Sequence, residues 1–533
     1  MSSLSQVDSM DVMREGSSMT ERVGADVAIV GAGPVGLVLA GLLGRRGVDV
    51  TVVDRALDVF PLPRAAHLDH TVLRVLQELG CVESLLPTMT PNTALVLADQ
   101  ALSPLVRIPA GGVGRSGFPA SMYFYQPEFD RALESVAAGL PSVTILRGHD
   151  AISYDMSDHT ATIHCRRIAD DSAVDVAAKW VIACDGASSQ LRESWGEDLE
   201  SLDFDEQWLV LDLRIEDDSP RLPDHALQVC DPRRAWVSNP VPGGRYRVEM
   251  RLRDDDDPGH VMSLEHVSEF LRPLLGESRF EVERDAIYTF HGLVAPSWRK
   301  GRMLLAGDAA HQMPPFLGQG MVSGVRDAHN LAWKLAGVVQ GHFSEEILDS
   351  YEQERKPHVE SVVRSAIGVG RFVSQTDPVA VEARNRALRN GDVTDVPTFR
   401  IPDLAPGILV GTGGGSTLPQ PVRGDTLPTL DGLLGDGFSV ISISPIPSAD
   451  RLWWPTDVPV RFFETRELGD TGDQLAEWLE QKKAQVVLVR PDRYILSTGL
   501  SLEAIRQDIE YTALALFTRD LPSMTAAAAN EVS

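Results

Sequence analysis

Gly31, Gly33 and Gly36 stand in the run GAGPVG, with GxGxxG spacing. A glycine at the first position permits a tight turn, at the second lets backbone approach a pyrophosphate, and at the third lets helix pack on strand. The N–H groups that open the helix then face phosphate oxygens. Asp54, 23 residues beyond Gly31, stands where an acid accepts a hydrogen bond from a ribose hydroxyl. The same spacing also occurs in glycine-rich turns that bind nothing, and alone it does not distinguish one dinucleotide from another. A second group is Asp185-Gly-Ala-Ser-Ser189-Gln-Leu-Arg192, equally readable as a strand-to-helix turn with a capping side chain. The third is GRMLLAGDAAHQMPPFLGQGMVSGVRDAHNLAWKLA, from Gly301 to Ala336. There Asp308 can accept from a polyol hydroxyl, and the backbone N–H groups of Gly320 to Val322 can form a concave donor nest.

The elements needed to place these groups are legible around them. Asp26–Val30 reads as a buried parallel strand, Leu37–Arg46 as a helix and Val48–Val53 as a second strand, which completes a βαβ unit. Trp180–Cys184 and Met303–Ala306 are further buried strands that end at Asp185-Gly186 and Gly307-Asp308. Helices are expected at 71–79, 126–138, 327–339 and 346–372. Residues 143–185 alternate as a meander. Residues 201–290 alternate over 208–215 and 235–252, with Pro242-Gly243-Gly244 as a hairpin turn, which predicts an antiparallel sheet. The expected organisation is a first dinucleotide-binding part at 25–200, the sheet at 201–290, a second dinucleotide-binding part at 291–373, a linker at 374–428 and a small α/β domain at 429–533.

The chain has 533 residues, 43% hydrophobic and 23% charged, too many for one core. Its formal charge of -27 repels nucleic acid and anionic membranes, so neither is an expected partner. Cys81, Cys165, Cys184 and Cys230 form no CxxC, which fits a reducing compartment and no metal site. Residues 1–24 lack the basic and apolar regions of a secretory signal and are expected to be a disordered tail. No apolar run spans a membrane, so a cytoplasmic protein is expected.

Three motifs in this order resemble the class A flavin monooxygenases, the single-component aromatic hydroxylases. The likeness covers residues 25–520. Around the motifs, PRAAHLD (63–69), YQPEFDRAL (125–133), HQMPPFLGQGM (311–321) and VLVRPDRYI (487–495) look most like the 3-(3-hydroxyphenyl)propionate hydroxylase branch. The resemblance implies an α/β, Rossmann-like FAD-binding domain of the para-hydroxybenzoate hydroxylase type, with an antiparallel-sheet substrate domain and a C-terminal thioredoxin-like domain. Lacking any Cys after Cys230, that last domain has no dithiol chemistry. By the same likeness, Gly31, Gly33 and Gly36 would hold the FAD pyrophosphate, Asp54 the adenosine ribose, and Arg55 would lie against the adenine. Arg64 would contact the pyrophosphate and serve the mobile flavin, and Gln126 would bind the ribityl chain. Asp185 and Arg192 would serve both FAD and the passing nicotinamide nucleotide, and Asp308 the ribityl hydroxyls. Pro315, Gly318, Gly320, Met321 and Val322 would line the flavin ring. Position 322 is often Asn in the class, so a side-chain contact there is lost in this chain.

The implied reaction uses FAD, NADH or NADPH, and O2 to hydroxylate a small phenolic compound similar to 3-hydroxyphenylpropionate through a C4a-hydroperoxyflavin, in a homodimer or higher homo-oligomer. A base near the phenol would help. His67 and Asp69 are the candidates, with packing beside the flavin and capping of the next helix as their alternative roles. His311 is expected mainly to support its loop. Arg214, Arg247, Arg251 and His291 are candidate partners for a substrate carboxylate, or simply sheet-face residues. Hydroxylation of a polycyclic polyketide phenol, a simple FAD-dependent dehydrogenase and non-catalytic FAD binding are the competing readings. No WxWxIP segment is present, which disfavours a flavin halogenase.

Overall fold

The computed structural model describes residues 20–510, apart from 197, 217–221, 277, 393, 395, 397–398, 423–426, 452–453 and 456–457. Its first sheet has a parallel core in the order Val143–Arg147, Val50–Asp54, Glu21–Val30, Ala173–Ala183, Met303–Leu305. Val27, Ala28, Ile29, Val181, Ile182 and Leu304 are fully buried, as expected of strands covered on both faces. Val30 pairs with Ala183, and Ala183 with Leu305, so three neighbouring strands end level. Their carboxyl ends therefore deliver Gly31, Asp185 and Asp308 to one edge, where open α/β sheets bind ligands. The strand preceding Gly31 begins at Glu21, not at Asp26, because Glu21–Gly24 pair with Val174–Ala177. Backbone pairing needs no apolar side chain, so the tail read over 1–24 is cut short at its far end. Residues 1–19 lie outside the described residues.

The second sheet runs His311–Gln312, Phe280–Val294, Glu200–Ile215, Arg245–Arg251, Trp236–Val241, Ala226–Val229, Ala94–Ala98, Pro104–Pro109. All pairs are antiparallel except Ala226–Val229 against Ala94–Ala98. Two strands thus come from 94–109, a stretch read from sequence as part of the first domain. One face packs Leu209, Leu211, Tyr246, Val248 and Met250 on the helix Leu264–Leu275. The other face carries Trp208, Val210, Asp212, Arg247 and Glu249 and turns toward the first domain.

The helix that follows the third motif starts at Gly320, not near 327, and runs to Val339. It crosses the GxGxxG helix, Pro34–Arg45, so tightly that a Cβ on Gly324 would lie 2.5 Å from Val35. Asp349–Val373 packs beside it. The segment 374–428 is more than a linker, since it contains the helix Pro378–Arg389 and buries Leu388, Leu404, Leu409 and Leu418. The thioredoxin-like domain is a four-stranded mixed sheet in the order Val460–Glu464, Phe438–Ser442, Val486–Val489, Ile495–Gly499. It is bolted to the rest by buried charge. Arg490 is held between Glu354 at 2.8 Å and Asp492 at 2.6 Å, with Lys334 2.9 Å from Glu354. Among the described residues, no helix is long and apolar enough to cross a membrane.

Candidate active site

Two of the three glycines of the dinucleotide cradle tolerate no side chain. Gly31 has φ +107°, and a Cβ there would lie 2.2 Å from the Cys184 carbonyl oxygen. On Gly36 it would lie 2.0 Å from the Gly31 carbonyl oxygen, whereas on Gly33 it would meet no protein atom within 4 Å. The first and third glycines are thus packing constraints, and the second leaves the backbone open to a ligand. The Asp54 carboxylate accepts from Ala32 N at 2.6 Å and Ala56 N at 2.7 Å and lies 3.6 Å from Arg147. It braces the loop at the end of the second strand. Arg55 is exposed beside it. Asp185 leaves Oδ1 buried with no hydrogen-bond partner among the described residues, and burial raises its pKa. Asp308 is exposed at the mouth of the edge, yet enclosed enough for burial to raise its pKa. It makes no hydrogen bond with the described residues, and Arg64 is close enough to oppose that shift.

Two expected contacts are turned inward. Gln126 accepts from Arg64 N at 2.8 Å and Ala65 N at 2.7 Å and donates to Asp130 at 3.1 Å, so it braces the 64–65 backbone rather than offering a free amide to a ribityl chain. Arg192 donates to the carbonyls of Ala309, at 3.1 Å, and Ala187, at 3.0 Å. It staples the second motif to the third and is 7% exposed.

Pro315–Leu317 forms one tight turn, followed by Gly318 at φ +61° and the helix start at Gly320. Pro315, Gly318, Gly320 and Met321 are partly exposed along this loop, but Val322 is fully buried, so its side chain does not reach the site. His311 is buried and bonds Asp327 at 2.7 Å, which also accepts from Gly307 N and Arg355. His311 therefore supports the loop, as expected.

His67 and Asp69 fall on a short strand, His67–Asp69, paired with Ser121–Tyr123. The His67 ring bonds Ser121 Oγ at 2.7 Å and lies 3.4 Å from the Gly318 carbonyl. Burial pushes its pKa below the usual range, which leaves it neutral at pH 7. Asp69 caps the helix His70–Leu79 through Thr71 N at 2.9 Å and is ion-paired with buried Arg326. Burial alone would raise its carboxyl, but Arg326, His70 and Thr71 hold it at about 2. Such a carboxylate is a weak base with its acceptors occupied, so the catalytic assignment of Asp69 is corrected to a capping one.

The four candidate carboxylate partners are likewise engaged. Arg247 grips Asp212 at 2.7 Å and donates to the carbonyls of Arg64, at 2.7 Å, and Pro63, at 2.9 Å. Arg214 pairs with Glu283 at 2.9 Å, Arg251 with Glu206 at 3.3 Å, and His291 with Asp205. Neither sequence reading of Arg247, as a carboxylate partner or as a sheet-face residue, includes its grip on the 63–64 backbone, which depends on a contact 183 residues away. Glu249 was missed altogether. The signal was present, because the RYRVEM strand alternates and puts Arg247 and Glu249 together on its polar face.

An FAD fits these residues. The open Gly33 backbone, the orphaned Asp185 oxygen and the unpartnered Asp308 lie at one strand edge, beside a glycine loop and a helix start. Comparison with known proteins agrees. A family described as FAD binding domain matches residues 24–366, and an HcaD C-terminal domain matches 415–510. The Rhodococcus jostii protein named "Probable NADH-specific resorcinol 4-hydroxylase" is 34% identical over 91% of this chain and 93% of its own. A 3-(3-hydroxy-phenyl)propionate/3-hydroxycinnamic acid hydroxylase of Mycolicibacterium gilvum is 32% identical over 91% of each chain. Among solved structures, the rebeccamycin biosynthetic enzyme RebC with reduced flavin covers 92% of this chain and all of its own at TM-score 0.75 and 22% identity. Aklavinone-11 hydroxylase with FAD and aklavinone covers 91% and 98% at TM-score 0.75 and 21% identity. These two establish the likeness of fold. The chain therefore belongs to the FAD binding domain family and is one of its FAD-dependent aromatic hydroxylases, working with a nicotinamide nucleotide and O2.

Proposed function

We propose that this enzyme hydroxylates a small, uncharged phenol of the resorcinol type, with NADH as reductant. One observation carries the substrate class. Every arginine on the face of the large sheet that turns toward the first domain, Arg214 included, lies within 4.0 Å of a protein carboxylate, with Asp212 and Glu283 each serving two. Arg245 is paired with Glu283, Arg247 and Arg284 with Asp212, and Arg251 with Glu206. A substrate carboxylate would have to compete with these carboxylates for their arginines. Uncoupling a buried pair such as Arg247–Asp212 costs about 3–5 kcal/mol. The relative named for resorcinol supports the same class, and its name supports NADH.

When bound, FAD supplies the redox chemistry that takes electrons from the nicotinamide nucleotide and passes one oxygen atom of O2 to the ring. The chain holds and shields it. Gly31, Gly33 and Gly36 admit the pyrophosphate, Asp54 and Arg55 the adenosine end, and Asp185 and Asp308 accept from hydroxyls. Arg64 stands at the flavin, its backbone fixed by Gln126 and Arg247. Pro315, Gly318, Gly320 and Met321 line the ring, and neutral His67 holds Gly318 in place. A homodimer belongs to the same reading and is checked by light scattering.

The test is NADH oxidation by the FAD-loaded enzyme against resorcinol, phenol and 3-(3-hydroxyphenyl)propionate, with products identified by mass spectrometry. Stimulation by resorcinol with a product one oxygen heavier is expected. Coupled turnover of the propionate and none of the neutral phenols refutes the substrate class.

A further inference from the structure

On the face of the large sheet that turns toward the first domain, Asp212 lies opposite Arg247 and Val210 opposite Glu249. Asn239 and Val237 continue those two rows on the next strand. Arg284 and Ala286 continue them on the other side. Two contacts bracket the rows. At one end Arg247 reaches the carbonyls of Pro63 and Arg64. At the other, Trp208, opposite Arg251, meets the ring of Phe316 at 5.3 Å between centroids. Glu249 sits between these anchors, facing the gap between the 63–64 segment and the 315–317 turn. Tyr123 closes one side of the gap through its hydroxyl on Asn239, at 3.3 Å.

Glu249 is 8% exposed and makes no hydrogen bond with any described residue. Its ion-pair contact, to Arg247, is 4.0 Å long, and that guanidinium is held by Asp212 at 2.7 Å. Nearly every buried polar group finds a partner, so a carboxylate left without one beside a gap is a place for a donor from outside the chain. A phenol is such a donor, and giving up its hydrogen activates its ring.

We propose that Glu249 accepts the hydrogen bond of the substrate's phenolic hydroxyl and takes that proton as the ring is attacked. The assignment rests on the small-phenol reading above. The O–H bond breaks toward the Glu249 carboxylate, and the oxygen electron pair moves into the ring. The ortho or para carbon then bonds the hydroxyl group that the established NAD(P)H and O2 chemistry delivers. Loss of that carbon's hydrogen to solvent restores the aromatic ring, and Glu249 returns the proton to the first oxygen. Charged groups around the carboxyl are Arg247, Arg245 and Arg251 on its own strand, Asp212 and Arg284 on the strands beside it, and Arg64 across the gap. Burial outweighs the nearby arginines and raises its pKa.

The experiment compares FAD-loaded wild type, Glu249→Gln and Glu249→Asp on resorcinol, phenol and 3-(3-hydroxyphenyl)propionate between pH 5 and 9. FAD content and melting temperature are recorded for each. Glu249→Gln is expected to lose about 10- to 100-fold in kcat/KM at unchanged FAD content, the usual cost of removing a charge-assisted bond. Wild type should lose kcat/KM as pH falls and the carboxyl is protonated. Glu249→Gln should lack that acid limb, and Glu249→Asp should keep it with a raised KM. A Glu249→Gln enzyme within about twofold of wild type, or with the same acid limb, overturns the proposal. An enzyme that prefers the propionate yet is crippled by Glu249→Gln refutes the neutral-substrate reading and leaves Glu249 in its role.

Discussion

Replacing Arg490 by Met tests whether buried charge fastens the C-terminal domain to the flavin-binding helices. Arg490 is fully buried and donates to Glu354 at 2.9 and 2.8 Å, to Asp492 at 3.0 and 2.6 Å, and to the Leu409 carbonyl at 3.1 Å. With Lys334 against Glu354, the group is neutral: Arg490 and Lys334 balance Glu354 and Asp492. Met fills a similar volume but leaves one negative charge unbalanced. Breaking a buried pair from one side costs about 3–5 kcal/mol. At about 2–4 °C per kcal/mol, the first thermal transition should fall by on the order of 10 °C. The unbalanced site should also titrate. One carboxylate, its folded pKa now raised above the unfolded value, takes up a proton when the chain folds. The deficit against wild type is then smallest at low pH and grows as pH rises from 5 to 8. Adding Asp492→Leu restores neutrality and should recover part of the loss. Scanning calorimetry of the three proteins at pH 5.5 and 8 reads both effects. A single variant that melts within about 2 °C of wild type at pH 8 would refute the reasoning.

Gly318→Ala forces a left-handed residue, at about 1–2 kcal/mol, and sets a Cβ 2.7 Å from His67 Nδ1. FAD affinity, read by flavin fluorescence quenching, should fall at least tenfold, while Gly186→Ala, strained but with open space, should fall less. Burial pushes the Asp130 carboxyl up to about 7, so wild type loses stability as pH rises from 4 to 7. Asp130→Asn should therefore be more stable than wild type at pH 8, by up to about 4 kcal/mol, with the gap closing toward pH 4; an equal gap at both pH values contradicts the assignment. Burial raises the thiols of Cys81 and Cys230 to about 11 and that of Cys165 to about 12, and raises that of Cys184 as well. Iodoacetamide should leave all four unlabelled in the native enzyme at pH 7.5 and label them in denaturant, by intact mass.

The parts of this molecule that are legible in the sequence are those where geometry admits one residue type. Gly31 and Gly36 fall where a Cβ would strike backbone, and their spacing needs no knowledge of the rest of the chain. The buried parallel strands announce themselves by unbroken apolar runs. What was not legible depends on distant partners. Pairing of Ala226–Val229 with Ala94–Ala98 joins segments with no local mark of affinity. The helix at Gly320 opens on GMVSG, which apart from Met321 is poor in helix formers, because tight packing of Gly324 on Val35 overrides propensity. Motifs single out Gln126, Arg192 and Asp69, but the side chains face inward to Arg64 N, the Ala309 carbonyl and Arg326. Sequence spacing reports where a residue stands, and only the fold reports which way it points.

The mixed parentage of the large sheet constrains how such enzymes can be recombined. A chimaera that exchanged only the continuous stretch 200–294 for that of a related hydroxylase would set a foreign strand against the host's Ala94–Ala98, where Ala226–Val229 pairs in this chain. It would also place a foreign strand against His311–Gln312, which pair with Val294 and Leu293, and a foreign arginine beneath the 63–64 carbonyls. The transferable cassette is therefore discontinuous. It comprises the 94–109 hairpin and the 200–294 strands together, with its two seams at 63–64 and 311–312 matched to the host.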